Sequence, residues 1–99
     1  MSDKIITVVA THQAKPGKEA ELKQLFISHV EMTRKEEGCI NYELHVSVEN
    51  PGIFMFYENW TSRAHLEAHL EKALVHELLP RMNELCARFP DIEMWEKIA

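Results

Sequence analysis

The segment 54–70 constrains the fold more than any other part of the chain. Aromatic and apolar residues dominate its first half, where every second side chain of a strand faces the same side. The hydroxyl groups of Thr61 and Ser62 can then accept hydrogen bonds from the free N–H groups at the start of a helix. That helix carries His65 and His69, four residues apart. The sequence therefore predicts a strand–helix junction that brings together a carboxylate, an indole and two imidazoles.

The other strands and helices are predicted from the alternation of apolar residues in strands and from their three- and four-residue spacing in helices. Strands are predicted at 5–13, 39–48, 53–60 and 92–98, and helices at 18–37 and 63–88, with a break or kink of the second helix near Pro80. The order β-α-β-β-α-β is that of the split βαβ, ferredoxin-like fold. We therefore expect an α+β domain whose helices cover one face of an antiparallel sheet.

Size, charge and cysteine content limit the classes of protein to which this chain can belong. The 99 residues predict a single domain spanning 1–99, and the net charge of −5, with scattered basic residues, argues against nucleic acid as a partner. No apolar run approaches the ~18 residues that cross a bilayer, and no leader pattern is recognised, so a cytoplasmic protein without a membrane partner is expected. Cys39 and Cys86 are predicted to be packed thiols.

A protein partner is predicted for the sheet face that the helices leave open. Both faces of the first strand are largely apolar, and Trp95 falls on the same face as Glu93 and Lys97. A large ring on a nominally solvated face indicates an interaction surface. We expect a homodimer made by packing two open sheet faces together.

Four segments together resemble the antibiotic biosynthesis monooxygenase (ABM) family, which includes quinol monooxygenases. The turn at 15–19 resembles the family's K-P-G-x-E, and 34–44 resembles R-x-E-x-G-C-x-x-Y-x-L. Residues 57–60 match Y-E-x-W, and 64–70 resemble A-H-L-x-A-H-L. The four matches lie in the family's order and are more specific for the family than for a substrate.

This resemblance implies a fold and a chemistry. The implied fold is a dimeric α+β barrel with a pocket between each sheet and its own helices. Family monooxygenases oxidise phenolic, quinol or anthrone-like compounds with molecular oxygen, typically without flavin, haem or metal. One departure is that Leu74 stands where many relatives have a second histidine, with His76 two positions further on. The haem-degrading branch carries an asparagine in the first strand, which 8–13 lacks.

Three residues of the junction are predicted to be catalytic. His69 is the candidate general base, because the pKa of an imidazole lies near working pH. The Trp60 indole N–H can stabilise a developing oxyanion. Glu58 is the candidate acid, which requires burial to raise its pKa, and a purely structural role in orienting a neighbour is left open.

A second set of residues is predicted to bind the substrate. Phe54 and Phe56 share a strand face with Glu58 and can sandwich an aromatic ring. His29 lies on the apolar stripe of the first helix, where a buried, hydrogen-bonded histidine is the alternative interpretation. The complete predicted set is His29, Tyr42, Phe54, Phe56 and His65. His12 and His45 are instead predicted at the surface or an interface, and the charged run 34–37 as a solvated helix end.

Three other functions each match part of the sequence. His65 and His69 fit half of a metal site, but His76 would lie ~10 Å beyond His69 along a helix, so neither a metal nor another cofactor is predicted. A non-oxidative isomerase of a phosphorylated dicarbonyl would need a phosphate cradle, and the sequence has no glycine-rich turn for one. A stress module that binds an aromatic ligand without catalysis remains open. The favoured function is a cofactor-free monooxygenase acting on a small quinol, anthrone or phenol.

Overall fold

The structure, a computed structural model, describes residues 4–75 and 78–99. It contains four strands, β1 (Ile6–Gln13), β2 (Cys39–Val46), β3 (Ile53–Trp60) and β4 (Asp91–Trp95), and three helices, α1 (Glu19–Arg34), α2 (Arg63–Val75) and α3 (Leu78–Leu85). The strands form one antiparallel sheet in the order β2-β3-β1-β4. The predicted α+β, ferredoxin-like fold is therefore confirmed.

Strand alternation decides which side chains meet the helices. Val8, Ala10 and His12 of β1 are buried on one face, and β1 pairs with β3 so that Ala10 lies opposite Phe56. From α1, Leu22 and Phe26 complete the core against this face. The prediction of His12 at the surface or an interface is wrong. In a strand every second side chain faces the same side, so His12 faces the helices together with the two buried residues at the second and fourth positions before it. His45 is exposed.

The predicted ends of several elements differ from those observed. The second predicted helix, 63–88, is two helices, and Pro80 lies in the first turn of α3, where a missing N–H breaks no hydrogen bond. The strands β2 and β4 end at Val46 and Trp95, short of the predicted 48 and 98. His76 and the side chain of Leu74 lie outside the described residues, so the effect of that departure from the family pattern stays open.

The structure also describes the two cysteines and the lengths of the helices. Cys39 and Cys86 are free thiols, the second of them buried. Within 4–75 and 78–99, no helix is long and apolar enough to cross a membrane.

Gly38 lies in the turn after α1 and packs closely against α2. Its φ of +85° lies in the left-handed region, and a Cβ added there would overlap the side chain of His65. His65 cannot easily retreat, because its Nδ1 lies 2.7 Å from Ser62 Oγ and 3.0 Å from Thr61 Oγ1. The glycine is therefore required by both backbone conformation and space.

We predict that Gly38→Ala destabilises the protein more than Gly17→Ala. Gly17 has the same left-handed φ, +84°, but open space around the missing Cβ. Gly17→Ala should cost about 1 kcal/mol, the backbone cost alone. Gly38→Ala should cost about 1 to 3 kcal/mol more, because a packed side chain must move. Urea unfolding of both variants measures the difference, and equal losses would contradict the proposed contact with His65.

Candidate active site

One cavity lies between the sheet and its own helices. Its free volume, counted as the space open to the centre of a water molecule, is about 80 Å³. Its walls are mostly apolar and aromatic, with Phe26 and Phe56 on one side and Leu78, Leu79 and Met82 of α3 on the other. The side chains with polar atoms that border it are His12, His29, Tyr42, Glu58 and His69.

Glu58 is a carboxyl group held in this apolar setting. The residue is 4% exposed, and the Trp60 indole Nε1 donates a hydrogen bond of 2.9 Å to its Oε1. Burial raises the pKa of Glu58 from 4.5 to about 7; the hydrogen bond from Trp60 acts in the opposite direction, and the nearby Glu36 adds to the rise. At neutral pH both protonation states of Glu58 are therefore populated, which suits a group that exchanges protons.

His69, on α2, borders the same cavity as Glu58 and is fixed from two sides. Its Nδ1 is 3.0 Å from Glu36 Oε1, and its ring stacks on Trp60 with centroids 4.8 Å apart. Because a carboxylate only accepts hydrogen bonds, we assign the proton to Nδ1, which leaves the Nε2 lone pair free. Burial lowers the pKa of His69, and the attraction of Glu36 partly opposes this shift. The imidazole is therefore a neutral, oriented acceptor.

Glu36 was not predicted as part of any site. The run 34–37 was expected to be a solvated helix end, but the Glu36 side chain is only 14% exposed and is paired with a histidine 33 positions away. The other members of the run fit the expectation, since Arg34, Lys35 and Glu37 are exposed. The resemblance to the family's R-x-E-x-G-C run was the available signal, because it singles out this glutamate.

His12 was also missed, and its ring borders the cavity. It packs against Phe26 and Phe56, with ring centroids 4.8 and 5.7 Å away. Burial lowers the pKa of His12 to about 4, so the ring is neutral at physiological pH. Its alternation with Val8 and Ala10 was the signal that could have placed it.

The structure brings most of the predicted site residues together. His29, Tyr42 and Phe56 border the cavity with Glu58 and His69. His29 Nδ1 is 2.9 Å from the Leu25 carbonyl oxygen, and burial raises the pKa of the Tyr42 phenol.

Three predicted residues do not border the cavity. Trp60 is fully buried behind His69 and Glu58, and its N–H is already donated to the glutamate. Phe54 packs against Phe26 in the core, so the two strand phenylalanines do not form opposite walls. His65 hydrogen-bonds at the α2 cap near Gly38. In the part of the chain that the structure describes, no three histidine, cysteine or acidic residues are grouped so as to hold a metal ion.

The fold and cavity define a small α+β domain in which a buried glutamate and a buried histidine border one cavity. Residues 5–80 match the model of the family described as "Antibiotic biosynthesis monooxygenase". The chain belongs to this family, and the resemblance found in the sequence is confirmed.

Individual relatives agree with this assignment. An uncharacterized protein of Synechocystis is 30% identical over 95 residues, covering 96% of this chain, which in turn spans 65% of that protein's length. A conserved protein of Methanosarcina mazei superposes with a TM-score of 0.87 at 35% identity, covering 96% of this chain and 94% of its own. A crystal structure named as an antibiotic biosynthesis monooxygenase gives a TM-score of 0.87 at 29% identity, with coverages of 95% and 99%.

Glu58→Gln should change how stability depends on pH. Because the pKa of Glu58 is raised to about 7 on folding, the folded protein retains a proton that the unfolded chain releases above about 4.5. Stability from this group is greatest below pH 4.5 and is lost as pH rises through 7. We expect wild type to lose about 2 to 3 kcal/mol relative to Glu58→Gln between pH 5 and pH 8.

Urea unfolding at several pH values measures this difference. Comparing the two proteins cancels the opposite slope of His12, whose lowered pKa makes stability rise up to about pH 6.5. Glu43→Gln, at an exposed glutamate of β2, is the matched control for removing a carboxylate. Parallel pH curves for wild type and Glu58→Gln would show that Glu58 is not buried as described.

Proposed function

We propose that this protein is a monooxygenase that oxidises a small quinol, anthrone or other phenolic compound with molecular oxygen and needs no cofactor. The observation that carries the proposal is that His69 and Glu58 border one largely apolar cavity with aromatic walls. Membership of a family named for monooxygenases supports the reaction class. The acid–base pair supports a substrate that must lose a proton before it reacts with oxygen.

The first proposed step is proton removal. A phenolic hydroxyl in the cavity donates its proton to Nε2 of His69, and Glu36 stabilises the imidazolium that forms. The electron-rich anion then transfers electrons to oxygen. Oxygen adds to a ring carbon that carries hydrogen and forms a peroxide. That carbon then loses its hydrogen as the O–O bond breaks, which leaves a carbonyl oxygen on the carbon and releases the other oxygen as water, so the substrate supplies all four electrons. The apolar walls keep bulk water from the reactive intermediates.

Glu58 and Trp60 take different roles in this proposal. Glu58, with its pKa near 7, returns a proton to the reduced oxygen as water forms. Trp60 is a positioning residue, because its N–H is committed to Glu58 and its ring supports His69. This differs from the sequence-based hypothesis of an indole donor to the substrate oxyanion.

The phosphorylated-dicarbonyl isomerase fits the cavity less well. Among the described residues, no lysine or arginine borders the cavity, whereas a bound phosphate needs cationic or backbone N–H donors. The cavity instead has aromatic walls, which suit an uncharged ring.

We also propose that the protein is a homodimer through the open sheet face, while the cytoplasmic location stays a prediction. Val9 pairs with Tyr57 on one side and Glu93 on the other, and Trp95 follows on the same face. Tyr57 is 39% and Trp95 55% exposed. Two large rings on a solvated face favour a partner with a matching surface, and a second copy supplies one.

Loss of the His69 imidazole should abolish most turnover. Oxygen uptake is measured with a panel of reduced quinones and anthrones, and His69→Ala is expected to lower kcat by about 10²- to 10⁴-fold on an accepted substrate. His45→Ala removes an exposed histidine and serves as the matched control. Unchanged turnover in His69→Ala would refute the assigned base, and turnover without oxygen would refute the oxidative reaction.

Sedimentation velocity at micromolar concentration tests the dimer. Wild type should sediment at twice the chain mass of 11.5 kDa, and the double variant Tyr57→Glu/Trp95→Glu should sediment as a monomer, since each charge would have to be buried. Phe89→Glu alters an apolar residue that is 85% exposed outside the strands and is the matched control. A monomeric wild type would rule the interface out.

A further inference from the structure

The side chains that border the cavity lie at different depths. Tyr42, Glu58 and His69, which carry polar atoms, are 7% exposed or less. Leu70 and Ile92 border the same cavity but are 38% and 47% exposed. Lining residues that reach solvent mark the mouth of a cavity, so two apolar side chains from different elements border the mouth. The cavity therefore has a buried end with polar groups and an open end with apolar ones.

The sheet register gives the direction from the buried end to the open end. Phe56 of β3, Ala10 of β1 and Ile92 of β4 form one row across the sheet, and all three border the cavity. Glu58 lies on β3 two residues after Phe56, on the same face. Because neighbouring strands are ~4.8 Å apart, the cavity extends ~10 Å across the sheet, from the strand of Glu58 to Ile92. Between them, Ala10 contributes only a methyl group to the floor.

The apolar surface at the mouth continues along β4, an edge strand of the sheet. Ile92 and Met94 pair with Ala10 and Val8 of β1, so all four face the helices. Val8 and Ala10 are buried, whereas Ile92 and Met94 are about half exposed. The helices therefore cover this face of β1 but leave it open on β4. The proposed dimer uses the opposite face, that of Trp95, and does not cover these side chains.

We propose that the mouth bordered by Leu70 and Ile92 binds the apolar tail of an amphiphilic ligand, an alkyl-substituted phenol whose hydroxyl group is held at the buried end near Glu58 and His69. This inference deepens the proposed function and rests on it for the position of the hydroxyl group. Each methylene group that leaves water for these apolar side chains strengthens binding. The reverse orientation would place the hydroxyl group among apolar side chains and the tail among buried polar groups.

Binding of a series of para-alkyl phenols tests the proposal without turnover. The probes are phenol and its 4-ethyl, 4-butyl and 4-hexyl derivatives, and their dissociation constants are measured by calorimetry under nitrogen, so that no oxidation occurs. We expect each added methylene group to tighten binding by about two- to fourfold, the upper value corresponding to full burial of the group.

Two variants at the mouth should weaken this dependence on chain length. Ile92→Ser and Leu70→Ser lie on different elements, and each should lower the hexyl-to-ethyl affinity ratio at least about threefold while leaving the affinity for phenol unchanged. Ile40→Ser is the matched control, because Ile40 lies on the other edge strand, β2, is 50% exposed and is not among the residues that border the cavity. It should keep the wild-type ratio.

Three outcomes would overturn the proposal. The first is a wild type whose affinity does not rise with chain length, and the second is a rise that persists in both mouth variants. The third is an unchanged ratio in Ile92→Ser together with a halved mass in sedimentation, which would make a second copy of the chain the occupant of this surface. Failure of the proposed function is separate, because oxygen uptake would be absent while the chain-length dependence and its loss in the variants remain.

Discussion

The hydrogen bond from Trp60 to Glu58 is the interaction on which the rest of the site depends. Both residues lie on β3, which is paired on both sides and so has a fixed register. Their bond ties a carboxyl group to a fully buried indole, and that indole in turn supports the His69 ring. A carboxyl group beside apolar walls could otherwise turn toward solvent. The central strand thus sets the position of both the Glu58 carboxyl group and the His69 ring.

A second constraint comes from the opposite side of His69. Glu36 lies between α1 and β2, whereas His69 lies on α2, so their contact joins the two halves of the chain. It also fixes which imidazole nitrogen is free. The two contacts act on different atoms, one on the ring face and one on Nδ1. Together they fix the orientation of the His69 ring and commit its Nδ1 to Glu36.

The alternation of side chains in strands and their spacing in helices predict part of this arrangement from the sequence. Strand alternation places Phe56, Glu58 and Trp60 on one face of the sheet. It does not distinguish side chains that reach the cavity from those that end in the packed core, so Phe54 and Trp60 are predicted in the cavity. His65 and His69 differ by only ~40° around a helix, and contacts with the cap rather than periodicity separate them. Glu36 was hidden in a charged run because its partner is 33 residues away. His12 was misplaced because both faces of β1 are apolar.

The electrostatic state of the cavity bears on the proposed chemistry. Burial favours the neutral forms of His12 and His69 and raises the pKa of Glu58 to about 7, so Glu58 is uncharged in only part of the molecules at neutral pH. An uncharged phenol can enter such a site without the desolvation cost of an anion. In the proposed step, proton transfer creates an imidazolium beside Glu36 and a phenolate next to that imidazolium. The protonated form of the proposed base is thus stabilised by its pairing with Glu36. The substrate becomes reactive only after water has been excluded from the cavity.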